Sequence, residues 1–338
     1  MSFKDSIVKD SKENVYAFYV RIQPKALDYD KITRNDIYHD IISLYKEDPE
    51  IILRLCSMEE IHILQNLLDG NIKKQENGYI DYLLFRNLRN NYLILEENGE
   101  YKIPVDLVNY VKMAMNLLDE KFYAIQDVMD SVILGILQVY NTLELDEVIE
   151  LLKQYHISFS LPDLEKYLKV CPKINSKVEL IRYRKKEYLV STEFLYYKDV
   201  SSLRKNFKKA SYSLEEMISF GKYHLNLFDK EVLNFLNFLE IHLDAVFVFS
   251  FLQDLIFYCG FDLNNESILW QICDGVEELY QKVNRVVAKF PVWIYYGNDL
   301  KHFEENMFLP DKNDLCPCGS KKKYKNCCGK RWKSKEEK

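Results

Sequence analysis

The stretch Tyr92-Leu93-Ile94-Leu95-Glu96-Glu97-Asn98-Gly99-Glu100-Tyr101-Lys102-Ile103-Pro104 decides how this chain reads as a fold. Asn98-Gly99 between two short apolar runs is the turn chemistry of a tight β-hairpin. Upstream, residues 32–42 and 49–56 read as two amphipathic helices, with Ile37, Ile41, Ile42 and Leu44 in the first and Ile51, Ile52, Leu53 and Leu55 in the second. Ser57-Met58-Glu59-Glu60 is a capping box that starts a third helix over Met58–Leu68. A fourth helix, 79–88, enters the hairpin and a fifth, 105–118, leaves it. Helices, a hairpin and a further helix make a winged-helix-like unit.

The same order recurs downstream. Helices are expected at 128–140, 144–155 and Leu161–Val170. They precede Val178-Glu179-Leu180-Ile181 and Tyr188-Leu189-Val190, which flank a turn-forming run at 182–187. The hairpin ends superpose at an offset of 87 residues, Glu100-Tyr101-Lys102-Ile103-Pro104 against Glu187-Tyr188-Leu189-Val190-Ser191, as a divergent tandem repeat would. A polar stretch, 199–213, reads as a linker. Ser213-Leu214-Glu215-Glu216 then caps the first of four helices at 214–224, 230–242, 245–258 and 268–289. The expected fold class is mainly α with small β-hairpins. Its parts are N-terminal helices with a first winged-helix-like unit (1–118), a second such unit (119–200), a helical domain (201–310) and a short C-terminal unit (311–338).

Composition agrees with a helical protein. Hydrophobic residues make up 48% and aromatic residues 14%, enough for real cores, while ten Gly and eight Pro leave little punctuation for an all-β chain. The longest apolar stretch, 243–261, is interrupted by Asp244, Ser250, Gln253 and Asp254, so it reads as a buried helix and no membrane span is expected. Met1-Ser2-Phe3-Lys4-Asp5 lacks the basic and apolar blocks of a signal peptide, which points to the cytoplasm. Charge is uneven. Residues 311–338 hold ten Lys or Arg against four Asp or Glu, so this tail is +6 while residues 1–310 carry −12. A basic appendage on an acidic body suits a polyanion or an acidic protein surface as partner.

The tail also contains Cys316-Pro317-Cys318-Gly319-Ser320-Lys321-Lys322-Lys323-Tyr324-Lys325-Asn326-Cys327-Cys328, four of the eight cysteines in thirteen residues. The spacing C-x-C-x8-C-C reads as a metal site, since four thiolates can close a tetrahedral Zn2+ centre with no position left for substrate. A Cys327–Cys328 disulfide would join Cα atoms about 3.8 Å apart, below the usual range of roughly 4.4–6.8 Å. Two bridges across the pairs would need an oxidising compartment that nothing at the N-terminus supports. An iron–sulfur centre would lack an apolar shell in so lysine-rich a segment.

Leu315-Cys316-Pro317-Cys318-Gly319-Ser320, followed by Lys322-Lys323-Tyr324-Lys325 and Cys327-Cys328-Gly329, closely resembles the SEC-C motif, the zinc knuckle at the C-terminus of bacterial SecA that also ends many otherwise unrelated bacterial proteins. The resemblance implies one structural Zn2+ per chain, bound by Cys316, Cys318, Cys327 and Cys328, with Cys328 where some members have His. It also implies that Lys322, Lys323, Tyr324, Lys325 and Trp332 face a partner, because in SecA-like proteins the motif contacts a chaperone or the ribosome. Lys321 departs from the pattern, where glycine is commoner. The segment Val286–Leu300, ending Trp293-Ile294-Tyr295-Tyr296-Gly297-Asn298-Asp299-Leu300, is similar to one that often precedes the knuckle in bacterial SEC-C proteins, and it is a candidate docking surface.

No catalytic constellation emerges. The six histidines are scattered, without H-E-x-x-H or G-x-S-x-G, and no Gly-rich phosphate loop or small-molecule substrate is identified. Cys56, Cys171, Cys259 and Cys273 sit in apolar helical contexts and read as buried thiols. Winged helices raise DNA reading. Arg86 and Arg89 near the fourth helix and Arg182, Arg184 and Lys185 in the second hairpin are the candidate nucleic-acid contacts, with Arg204, Lys205, Lys208 and Lys209 following. The function that fits best is a non-catalytic zinc-binding adaptor whose knuckle docks it on the ribosome or on protein-targeting and chaperone machinery. The alternatives are a DNA-binding transcriptional regulator and an enzyme with an unrecognised site in the helical body.

Overall fold

The computed structural model describes residues 2–23, 26–70, 78–183, 185–192, 204, 207–261, 266–299, 312–313 and 322–326. Its N-terminal part comprises α1 (Phe3–Lys9), α2 (Lys12–Ile22), α3 (Arg34–Glu47), α4 (Glu50–Arg54), α5 (Met58–Leu68), α6 (Tyr79–Asn90), β1 (Leu95–Glu97), β2 (Glu100–Lys102) and α7 (Val108–Asn116). The middle comprises α8 (Glu120–Tyr140), β3 (Thr142–Glu144), α9 (Leu145–Gln154), α10 (Leu161–Val170), β4 (Val178–Tyr183) and β5 (Lys186–Ser191). Then come α11 (Leu214–Tyr223), α12 (Lys230–His242), α13 (Ala245–Phe261), α14 (Glu266–Ile272) and α15 (Glu277–Val286). The chain is mainly helical, with two small antiparallel sheets, as expected.

Both capping boxes form as read. Ser57 and Ser213 each accept the backbone N–H three residues on, and Glu60 and Glu216 reach back to the cap N–H. The Asn98-Gly99 turn also forms, with φ of 55° and 75° and Glu97 opposite Glu100, the left-handed pair that a two-residue hairpin needs. The first strand, however, begins at Leu95 rather than Tyr92. Tyr92 is left-handed, and the Leu93 N–H donates to the Leu88 carbonyl at 3.0 Å, so residues 91–94 close the end of α6 and drop Leu93 and Ile94 into the core. In the second hairpin the strands run further than expected. Arg182 pairs with Glu187 and Tyr183 with Lys186, so most of the run read as a turn is sheet. A short edge, β3, joins it to give the order β3-β5-β4.

Helix α8 starts eight residues before its expected beginning, because the Asp119 side chain accepts the Phe122 N–H and caps it there. It is long and apolar enough to cross a membrane by length and composition, but 56% of its apolar window is buried inside the protein. Helix α13, read as buried, is buried on one face through Val248, Leu252, Leu255 and Cys259, while Val246, Phe247 and Phe257 are exposed.

Three apolar clusters form. One gathers residues from α1 to α8, among them Phe3, Ile37, Phe85 and Tyr101, with the Phe85 and Tyr101 rings stacked at 4.5 Å. A second lies between α8, α9, α10, the β3-β5-β4 sheet and α11. The third holds α12, α13 and α15 together, and the face of α6 bearing Tyr79 and Leu83 enters it. Helices α8 and α11 make the most extensive helix–helix contact, and glycine makes it possible. A Cβ on Gly221 would lie 1.8 Å from the Ser131 carbonyl oxygen, and one on Gly135 would lie 2.0 Å from the Met217 carbonyl oxygen. Both obstacles are backbone and cannot move aside.

The stretch 199–213, read as a linker, does not behave as one in its described residues. Arg204, expected in a solvated basic run, is 8% exposed and donates to the carbonyls of Tyr140, Thr142 and Trp293. Burial pulls its pKa down to about 9. Lysine could not fill that place, because three divergent carbonyls need the guanidinium fork. The Ala210 N–H donates to the Tyr296 carbonyl at 3.1 Å, the Tyr212 hydroxyl to the Gly297 carbonyl at 2.8 Å, and Asn298 Nδ2 to the Lys208 carbonyl at 2.8 Å. The described side chains between Trp293 and Asp299 are buried or half-buried, which speaks against reading them as a docking surface. Trp293 and Asn298 are each 1% exposed, and Trp293 packs on Gly260.

Helix propensity alone would make Gly221→Ala stabilising by up to about 1 kcal/mol. The backbone contact reverses the sign: a loss of about 2–3 kcal/mol is expected, read as a lower urea midpoint with an unchanged slope.

Candidate functional site

The described part of the tail is short but informative. Tyr324–Asn326 form a single 3-10 turn, the Asn326 N–H donating to the Lys323 carbonyl at 2.8 Å. The Lys325 N–H donates to the Lys312 carbonyl at 3.1 Å. Lys312 precedes the first cysteine pair in the sequence and Lys325 precedes the second, and the bond joins the described residues at these two points. Lys322, Lys323 and Lys325 are exposed. Cys316, Cys318, Cys327, Cys328 and Trp332 lie outside the described residues, as does the Tyr324 side chain. Among the described residues no group of three or more His, Cys, Asp or Glu is placed to hold a metal ion. Cys56, Cys171, Cys259 and Cys273 are buried free thiols, as read, and burial raises the pKa of each.

Two of the residues considered for nucleic acid have partners within the protein. Arg89 donates to the Tyr101 hydroxyl at 2.8 Å and lies 3.9 Å from Glu96, bracing the first hairpin. The Arg86 guanidinium sits over the Phe249 ring at 4.4 Å. Arg182 and Lys185 are exposed at the far end of the β4–β5 hairpin, and Arg184 lies outside the described residues.

Sequence reading missed the polar centre of the body, where α5, α6, α8, α11 and the α10–β4 loop meet around a cleft of about 360 Å3. Its floor is an ion network. Lys173 Nζ lies 2.7 Å from Asp127 Oδ1 and 3.4 Å from Asp130 Oδ2, while Lys222 Nζ lies 2.8 Å from Asp127 Oδ2 and 2.7 Å from Glu59 Oε1. The Tyr167 hydroxyl and the Cys171 thiol donate to Asp130 Oδ1 at 2.5 and 3.4 Å. Asp127 and Asp130 are 5% and 1% exposed, so unpaired they would be costly. Burial works to raise the Asp127 pKa, but the Lys173 and Lys222 ammoniums overcome it and hold the carboxyl below its ordinary value. Glu60 goes the other way. Burial lifts its pKa against the Ser57 N–H bond and the charge of Lys173. The only hint in the sequence was the pair of lysines beside apolar helix ends, which looks the same whether buried or solvated.

Residues 313–330 match the family model of the SEC-C motif, a motif of the zinc-binding type. The likeness is confined to that segment, as the motif residues imply. No curated protein and no solved structure matches the chain.

The two carboxyls give opposite pH signatures. Asp127, lowered on folding, contributes stability above its unfolded pKa near 3.9, and this is lost as pH falls through its folded value. Glu60, raised on folding, is still protonated in the folded chain when the unfolded chain has ionised near pH 4.3, so its contribution declines as pH rises from there. Glu60→Gln keeps a residue able to complete the Ser57 capping box. Its urea midpoint should exceed wild type at pH 7, with the gain shrinking to nothing toward about pH 4.

Proposed function

We propose that the chain is a zinc-binding adaptor whose C-terminal knuckle docks its acidic body on a large partner. The observation that carries this reading is the SEC-C match at residues 313–330, which spans all four clustered cysteines. In this reading Cys316, Cys318, Cys327 and Cys328 hold one Zn2+. Four thiolates suit that ion and leave no open position, so the metal would fix a loop and carry out no chemistry. The Lys325–Lys312 backbone bond supports the same picture, since it joins residues that precede the two cysteine pairs in the sequence. In this reading the fixed loop would present Lys322, Lys323, Tyr324, Lys325 and Trp332 to the partner.

The partner proposed is the ribosome, or protein-targeting and chaperone machinery. Charge supports it: a +6 tail on a −12 body binds a polyanion with the tail and repels it with the rest. We read two winged-helix-like units in the body, in residues 1–118 and 119–200, the second supported by the order helix, strand, two helices and hairpin in its described part. The role of the first unit, residues 1–118, is proposed as scaffold or protein contact, because its Arg86 and Arg89 are engaged with Phe249, Tyr101 and Glu96.

Metal analysis of the purified chain should give about one Zn per chain, falling to near zero when Cys327 and Cys328 are both changed to Ser. Retained stoichiometric zinc would place the site elsewhere. Ribosome recovery should drop about tenfold or more for a chain ending at Pro310, in a salt-dependent manner. Equal recovery by both forms would refute the docking role.

A further inference from the structure

Helices α12 and α15 pack against each other, and Phe235 of the first and Val286 of the second belong to the third apolar cluster. Between them an open groove of about 390 Å3 remains. Phe235 and Val286 give it a buried apolar floor, and the half-buried Phe238 ring lines it as well.

Two cations enter the groove from α15. Lys282 and Arg285 stand three residues apart, so they are neighbours on one face of that helix. Among the described residues no carboxylate lies within ion-pair distance of either. Arg285 is exposed. The Lys282 ammonium sits over the Phe238 ring at 4.3 Å, a contact that keeps its charge and leaves its N–H donors for an anion. Glu231, the carboxylate of the lining, lies 3.3 Å from Lys289, which also meets Asp229 at 3.3 Å, so its charge is shared with a third cation rather than with Lys282 or Arg285. Accessible cations without a carboxylate partner stand out on a body that is −12 overall.

The two halves of the lining call for two halves of a ligand. Aromatic and aliphatic side chains remove an apolar body from water, while a guanidinium fork beside an ammonium suits a carboxylate. A simple inorganic anion would leave the floor unused, and a recess of this size is in the range of small-molecule sites. We propose that the groove between α12 and α15 binds a small arylalkyl carboxylate, its ring on Phe235, Phe238 and Val286 and its carboxylate at Lys282 and Arg285. No residue of the basic tail takes part, so this site stands or falls apart from the docking role.

The test is calorimetric titration of the full chain with 4-phenylbutyrate, 4-phenylbutanol and butyrate at one ionic strength. Saturable one-to-one binding of 4-phenylbutyrate is expected, with a Kd of about 1 mM or tighter. The alcohol, which lacks the charge, and butyrate, which lacks the ring, should each bind about tenfold or more weaker. Arg285→Glu should weaken 4-phenylbutyrate about tenfold or more, and Asn234→Asp, which adds a carboxylate to the α12 side of the lining, about threefold or more. Arg182→Glu makes the same change of charge on the β4–β5 hairpin and should leave the affinity as it is. All three positions are exposed, so folding is expected to survive each change, and the urea midpoint checks it. No saturable heat, an affinity unchanged in Arg285→Glu, an equal loss in Arg182→Glu, or equal binding of the alcohol or of butyrate would each overturn the proposal.

Discussion

Helices α8 and α11 touch backbone to backbone, and much of the body follows from that contact. Two glycines, Gly135 and Gly221, let the Met217 and Ser131 carbonyls come to where side chains would otherwise stand. Closer axes bring Lys222, the neighbour of Gly221, within 2.8 Å of Asp127 on α8. Asp127 in turn holds Lys173 from the α10–β4 loop, and Lys222 reaches Glu59 on α5. A steric permission at two positions thus becomes an electrostatic junction between segments far apart in the chain. Asp127 and Lys222 each have two partners, whereas replacing Lys173 would take away the cation beside buried Asp130, which makes Lys173 the position least open to change.

What could be read from residues alone was local. Capping boxes at Ser57 and Ser213 and the Asn98-Gly99 turn act through atoms three residues apart or fewer, so their signals lie in adjacent letters. The Leu161–Val170 and Met58–Leu68 helices fell where periodicity put them. Non-local consequences were invisible. Arg204 looked like one member of a solvated basic run, because nothing near it in sequence announces three carbonyls contributed by residues 140, 142 and 293. The aromatic run at 293–296 looked like an exposed adhesive for the same reason. Its partner, Gly260, is on another helix and is legible as a docking point only once the fold is known.

The cysteine cluster stands apart from both cases. Its meaning rests on spacing within thirteen residues, so it was legible at once and matches its family on that segment. The body has no such signature. Its α12–α15 groove is assembled from residues between Glu231 and Val286, each of an ordinary type in an ordinary local setting. Function written in short spacing and function written in three-dimensional convergence are therefore unequally visible in one chain, and this protein carries a candidate of each kind.

The Arg204 clamp and the bonds from residues 208–212 to residues 296–298 pin the chain down as far as Asp299. From there to Lys312 covalent geometry allows at most roughly 45 Å of reach. Under the proposed docking, a partner that holds the basic tail therefore has Asp299 within that distance of Lys312, so even a weak surface on the acidic body would meet that partner at a high effective concentration.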